Sequence, residues 1–237
     1  MIYLHEIWTV NPSTEEDFWK IVGNDYLPDV ERNGMRLVGL CKVGIRYSED
    51  LAIWELDDWA ALDRMQEFHA VDPWMSTWKM EAARYRTDWV RKIMEPAPFS
   101  PTLAEIKEDD RFKSTIYLYS ISRMFPGKVG EYFLSIEREL KPRAEEWGLN
   151  IVGCYQVVGG EAASNEVIEI WTAGNTNEEY GAIRKNAEND PTLKTWENKV
   201  GHLRFYTTNR FLLGLVSFSP LRMKDEFMGA MHLMQGK

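Results

Sequence analysis

Four histidines, two cysteines and an excess of carboxylates are the groups of this 237-residue chain that could do chemistry. None falls in a spacing that names a reaction: no G-x-S-x-G, H-E-x-x-H, Gly-rich phosphate loop or Cys-x-x-Cys occurs. Cys41 and Cys154 stand alone, so no metal site is read, and two isolated thiols fit a reduced, cytoplasmic protein. His5 lies in the strand-like stretch "IYLHEIWTV", where an imidazole can serve as a base near neutral pH. A half-buried His paired with a carboxylate is its structural alternative. His69 ends a helical stripe with Leu62 and Met65; a helix C-terminus, which favours a charged imidazole, is the structural account of that position. Glu6 and Glu55 can face inward from strands as acid–base carboxylates, or pair with Arg46 or Arg91. These four form the candidate catalytic set. Tyr3, Trp54, Trp59, Trp74, Tyr85, Arg86 and Trp89 are the candidate ligand contacts around them.

The elements that must position these residues are written twice. "MRLVGLCKVG" from Met35 and "LNIVGCYQVVG" from Leu149 are nearly the same strand. Ile2-Tyr3-Leu4, Pro12, Pro28, Gly34 and Val38-Gly39 recur 114 residues later. Ile53-Trp54 recurs as Ile170-Trp171, Asp72-Pro73 as Asp190-Pro191, Thr77-Trp78 as Thr195-Trp196, and Phe99-Ser100-Pro101 as Phe218-Ser219-Pro220. So many rare residues kept in order argue for a tandem repeat.

Each copy reads βαββαβ, the ferredoxin-like split βαβ unit. In copy one, residues 2–10 form a strand. Ser13 is the expected N-cap, with Glu16 as its capping-box partner. Phe18, Trp19, Val22, Tyr26 and Val30 continue as a helical stripe, with a kink at Pro28 and a stop at Gly34. Strands over 35–44 and 50–57 surround a turn near Ser48. A helix from Asp58 to about His69 restarts at Asp72-Pro73, and a last strand runs from Arg86 to Glu95. Such a sheet has helices on one face, and its other apolar face needs cover. The expected fold is therefore α+β, with two ferredoxin-like repeats packed sheet to sheet. Repeat one covers 1–101, a linker 102–113, repeat two 114–220, and a Met-rich helical tail 221–237.

Copy one holds seven of the ten Trp. Trp54/Trp171 and Trp78/Trp196 occur in both copies and read as core anchors; Trp59, Trp74 and Trp89 are specific to copy one and read as cavity lining. His5 and His69 are likewise replaced, by Tyr119 and Ala187. This asymmetry places the expected cavity in copy one, between its sheet and its helices. Net charge is −9 with no basic run, which argues against nucleic acid and against an anionic membrane surface. The longest apolar stretch, 211–221, falls well short of the roughly 20 residues a spanning helix needs.

"YLHEIWTVNP", "LAIWELDDWAAL" and "DPWMSTW", echoed by "VIEIWTAGNTNEEY" and "DPTLKTW", resemble the NIPSNAP branch of the dimeric α/β-barrel superfamily over nearly the whole chain. The resemblance implies a barrel made by two ferredoxin-like units, and relatives among cofactor-free monooxygenases, isomerases, cyclases and haem enzymes. One departure is that the Arg usual in the first strand of the family is Glu6 here and Ser120 in the second copy. The reading that follows is an enzyme without cofactor, a lyase, isomerase or monooxygenase acting on a hydrophobic, aromatic small molecule. The alternatives are a non-catalytic NIPSNAP-type binding or scaffold protein, and a haem protein with His202 as axial ligand. The Met-rich tail leaves room for a homodimer.

Overall fold

A computed structural model describes residues 1–44, 49–160 and 165–224 of the chain. The expected turn at Ser48, Arg46 and most of the Met-rich tail lie outside the described residues. Among the described residues eight strands form: β1 (Ile2–Val10), β2 (Arg36–Val43), β3 (Glu49–Leu56), β4 (Arg86–Pro96), β5 (Ile116–Met124), β6 (Ile151–Gly160), β7 (Glu166–Thr172) and β8 (Arg204–Leu213). The strand expectations in the first half hold to within one or two residues.

The two halves do more than lie face to face. Their edges pair, β2 with β8 and β4 with β6, and the sheet closes in the order β1-β3-β2-β8-β5-β7-β6-β4. Every pairing is antiparallel. The β2–β8 seam is short, two residue pairs, so closure covers only part of the strand edges that an open pair of sheets would expose.

Strand alternation then sorts the side chains. Along β1, Ile2, Leu4, Trp8 and Val10 join the core between sheet and first-half helices, while Tyr3 and Ile7 join the barrel interior. A third core lies between the second-half strands and their helices, around Tyr132, Trp171 and Trp196.

The first helix starts one residue later than the Ser13 cap requires. Ser13 is left-handed (φ 68°), and Thr14 stands at the N-cap with no side-chain bond to the helix. The helix is α over Glu15–Ile21, π over Val22–Tyr26 and α again over Leu27–Arg32. The second half repeats this with a π turn over Ile136–Leu140 ahead of Pro142. Proline has no N–H and its ring crowds the carbonyl four residues back, so the turn before it widens. Gly34 stops the first helix at φ +89°. Asp58 accepts from Ala61 N at the start of Trp59–Val71, and Asp72 accepts from Trp74 N at the start of Pro73–Ala82.

The repeated Phe-Ser-Pro stretches are reciprocal straps. After β4, Ser100 Oγ donates to Cys154 O at 2.6 Å and accepts from Cys154 N at 2.9 Å, on β6 of the other half. After β8, Ser219 Oγ accepts from Leu40 N at 2.8 Å, on β2 of the first half. Following the first strap, helix Leu103–Glu108 lays Leu103 and Ile106 into the barrel core.

Candidate functional site

Alternation in β1 divides the sequence-derived residues into two groups. His5 faces the barrel interior, fully buried, with Nε2 2.6 Å from the hydroxyl of Tyr119, its counterpart in the other half. Burial and the nearby Lys92 charge push the His5 pKa down to about 3, so the ring is neutral. Lys92 pairs with Glu166 at 2.7 Å and Arg210 with Glu49 at 2.9 Å, tying β4 to β7 and β8 to β3. Tyr3 is also interior and donates to Glu55 at 2.6 Å. Glu55 pairs with Arg36 at 3.0 Å and accepts from Leu103 N.

Glu6 faces the helices instead. It accepts from Trp54 Nε1 at 2.9 Å and from Arg91 Nε at 2.7 Å, realising the Arg91 alternative read from sequence. Arg91 lies 3.4 Å from His69 Nδ1, and His69 Nε2 lies 3.3 Å from the Tyr26 hydroxyl. Burial, then the Arg91 and Lys79 charges, push His69 down to about 3 as well. The structure thus brings Glu6, His69, Trp54, Trp89 and Arg86 into one neighbourhood, and holds His5, Tyr3 and Glu55 apart from it on the far side of the sheet. Tyr85 packs at the edge of the first-half core, Trp74 stacks on Phe68, and Trp59 is 48% exposed.

The corresponding space in the second half is open. A cavity of about 370 Å³ lies between the second-half strands and helices. Its walls include Trp147, Trp171, Tyr180, Trp196 and Phe211. The exposed charged residues Arg184, Glu188 and Glu197 stand at its rim. The contrast has a simple steric cause. At matching positions the first half carries Glu6, Arg91 and His69, where the cavity is lined by Ser120, Asn209 and Ala187. Trp8 pairs across the strands with Trp89, as Ser122 does with Thr207. The copy-one side chains at these positions are larger, and the small copy-two side chains line the cavity.

Three polar residues converge on this cavity. The Tyr132 hydroxyl donates to Glu169 Oε1 at 2.7 Å, and Trp171 Nε1 donates to Oε2 at 3.3 Å. Arg204 donates to the Tyr132 hydroxyl at 2.9 Å and lies over the Tyr132 and Trp196 rings. Burial raises the Glu169 pKa against the lowering effect of both donors and of Arg204. Desolvation likewise holds the Tyr132 phenol protonated. Tyr132 and Trp171 thus hold the two carboxyl oxygens, and burial favours the protonated form of the group. Sequence reasoning passed over Tyr132, Glu169 and Arg204. Their signal was the run of small residues opposite large ones, with Glu169 and Tyr132 standing where copy one has Ala52 and Phe18.

His202 lies at the surface, 3.6 Å from Glu131. Among the described residues no group of three or more His, Cys, Asp or Glu is placed to hold a metal ion, and no helix is long and apolar enough to cross a membrane.

No protein-family model matches the chain, and no curated protein matches it. Solved structures do. A candidate monooxygenase from Lactobacillus acidophilus is 13% identical with a TM-score of 0.58, covering 90% of this chain and 92% of that one. An anthrone oxidase-like protein is 8% identical with a TM-score of 0.57, covering 90% of both chains. A NIPSNAP domain protein from Burkholderia xenovorans is 20% identical and aligns over 43% of this chain and all of its own, with a TM-score of 0.39. The chain shares the mixed α/β barrel fold of the candidate monooxygenase and of the anthrone oxidase-like protein.

Proposed function

We propose that the second-half cavity binds a planar, largely apolar aromatic molecule bearing a carbonyl or phenolic oxygen, and that Glu169 exchanges a proton with it. The observation that carries this reading is a buried carboxyl whose pKa is raised, set in an aromatic-walled cavity. Tyr132 and Trp171 fix its orientation, and Arg204 fixes Tyr132. A protonated Glu169 can donate to a ligand oxygen, and the charge that develops there lies close to Arg204. The reaction class is that of a cofactor-independent lyase, isomerase or monooxygenase, in keeping with the oxidase and monooxygenase names carried by structures of the same barrel. We read the two halves as a tandem duplication of one ferredoxin-like unit, over 1–101 and 114–220. In this reading the copy with the smaller side chains keeps the cavity.

The test is a screen of polycyclic phenols and aryl ketones by quenching of tryptophan fluorescence, followed by product analysis in air. Glu169→Gln keeps the hydrogen-bonding shape, so binding should persist while turnover falls about 10²- to 10⁴-fold. Turnover that survives Glu169→Gln refutes the role of Glu169. Binding without turnover in the wild type would mark the non-catalytic, NIPSNAP-like alternative.

A further inference from the structure

Among the described residues five buried nitrogens have no partner: His5 Nδ1 inside the barrel, and four donors on the helix side of the first-half sheet, Trp8 Nε1, Trp78 Nε1, Trp89 Nε1 and Arg86 Nε. The four donors belong to one contact group. The Arg86 guanidinium lies 4.3 Å over the Trp89 ring and 5.7 Å from that of Trp78. The Trp78 and Trp89 rings are 6.3 Å apart, and Trp8 is the cross-strand neighbour of Trp89. Buried polar groups without partners are costly, and four of one sign in one place call for an acceptor that no side chain supplies.

The second half shows what is missing. Arg204, at the position of Arg86, donates to the Tyr132 hydroxyl, and the residue matching Tyr132 is Phe18, which carries no oxygen. The charge balance points the same way. Glu6 is the buried carboxylate of this neighbourhood, and it is taken by Arg91 and Trp54. Lys79 donates to His69 O, and Arg86 lies over ring faces, attracted by the Glu6 and Asp88 charges, while its Nε is without an acceptor. The local field is positive enough that Arg91 and Arg86 lower the Lys79 pKa further, after desolvation.

We propose that the first half carries a second binding site, for a small aromatic carboxylate held by Arg86 and the indole N–H groups of Trp8, Trp78 and Trp89. A guanidinium presents a planar fork that matches a carboxylate in two parallel hydrogen bonds, and indole faces suit an aryl ring. All four donor atoms are closed to solvent in this structure, while Arg86 and Trp89 are themselves only half-buried. The ligand therefore enters by displacing the Arg86 head group from Trp89. This site is separate from the Glu169 cavity and does not depend on the function proposed for it.

Benzoate is the probe. The full-length protein is titrated to about 10 mM benzoate while the indole N–H resonances are followed by NMR. Saturable shifts of the Trp8, Trp78 and Trp89 signals, assigned through single Trp→Phe variants, are the expected result. Arg86→Gln should weaken binding at least about tenfold, the worth of a charge-assisted hydrogen bond, and Trp89→Phe should weaken it while keeping the ring. Thr207→Trp, which blocks the other cavity, should leave benzoate affinity within about twofold. No saturable shift of these three signals in the wild type overturns the proposal, and that readout needs no variant to fold. So does a response that survives Arg86→Gln and is lost in Thr207→Trp.

Discussion

Replacing Thr207 by Trp should close the second-half cavity and stabilise the protein. Thr207 faces Ser122 across β5 and β8 in the register that sets Trp89 against Trp8 across β1 and β4. Its neighbours match as well: Trp196 stands for Trp78 and Arg204 for Arg86. A tryptophan at 207 therefore has a rotamer already realised in the same fold. The cavity measures about 370 Å³, enough to accept an indole without moving the backbone. A buried aromatic side chain removes ~150–250 Å² from water, so at ~25 cal/mol per Å² the gross gain is ~4–6 kcal/mol. Part of that area is already covered by the threonine, and ordering the ring and disturbing the Arg204–Tyr132 contact oppose the rest, leaving a net gain of about 1–3 kcal/mol. For a chain of this size that raises Tm by ~2–4 °C per kcal/mol. Differential scanning calorimetry measures the shift, and fluorescence titration measures affinity for whichever aromatic ligand the wild type binds. Affinity should fall at least about 100-fold, because the indole occupies the ligand's volume. A destabilised Thr207→Trp would show that the space is not available to a ring. A variant that is stabilised yet binds as before would show that the ligand does not use this cavity.

Three further outcomes follow from buried polar groups. Burial pushes Asp50 up to about 7, so its folded state prefers the proton: the associated stability is intact below the usual carboxylate pKa and is lost as pH rises through 7. Asp50→Asn keeps an acceptor for Trp19 Nε1, and should gain up to about 4 kcal/mol more at pH 8 than at pH 4 in urea unfolding. His5 has the opposite sign: its folded pKa is pushed down to about 3, so stability falls as pH drops from the unfolded value near 6.5 towards 3. His5→Gln should flatten that slope in a pH series of thermal melts. Ser219→Ala strips the buried Leu40 N–H of its acceptor and should cost about 1–3 kcal/mol by urea titration, as should Ser100→Ala at Cys154 in the other half.

How far the sequence could be read depends on whether a feature is local or is a property of empty space. The strands, the helix start at Asp58, the Asp72 cap and the Gly34 stop are local, and the structure shows each one. Trp54 and Trp171 are buried at matching positions, as are Trp78 and Trp196, because both sheets need the same large ring there. The widened turns before Pro28 and Pro142 were visible only as a kink, since the proline reports a missing hydrogen bond but not how the chain absorbs it. The barrel itself is implied by the family resemblance, but which edges close it is not legible: pairing β2 with β8 and β4 with β6 depends on where the edges of the two halves come to lie, not on any residue within them. The cavity is the instructive case. A surplus of rings reads as the lining of a pocket, yet a side chain that is large relative to its counterpart consumes volume. Between the two halves, open space falls where the residues are smaller: Ser120, Thr207, Asn209 and Ala187 line it. Glu169 and Tyr132 then stand out, because each adds a polar group beside that space at a position where copy one, with Ala52 and Phe18, has none. In the first half the polarity lies on the other strands instead, as Glu6 with Arg91, and Arg86 is left with no oxygen to bind. The same differences that open one half leave unsatisfied donors in the other, so the two halves differ both in how much space they offer and in the charge of the ligand each would accept.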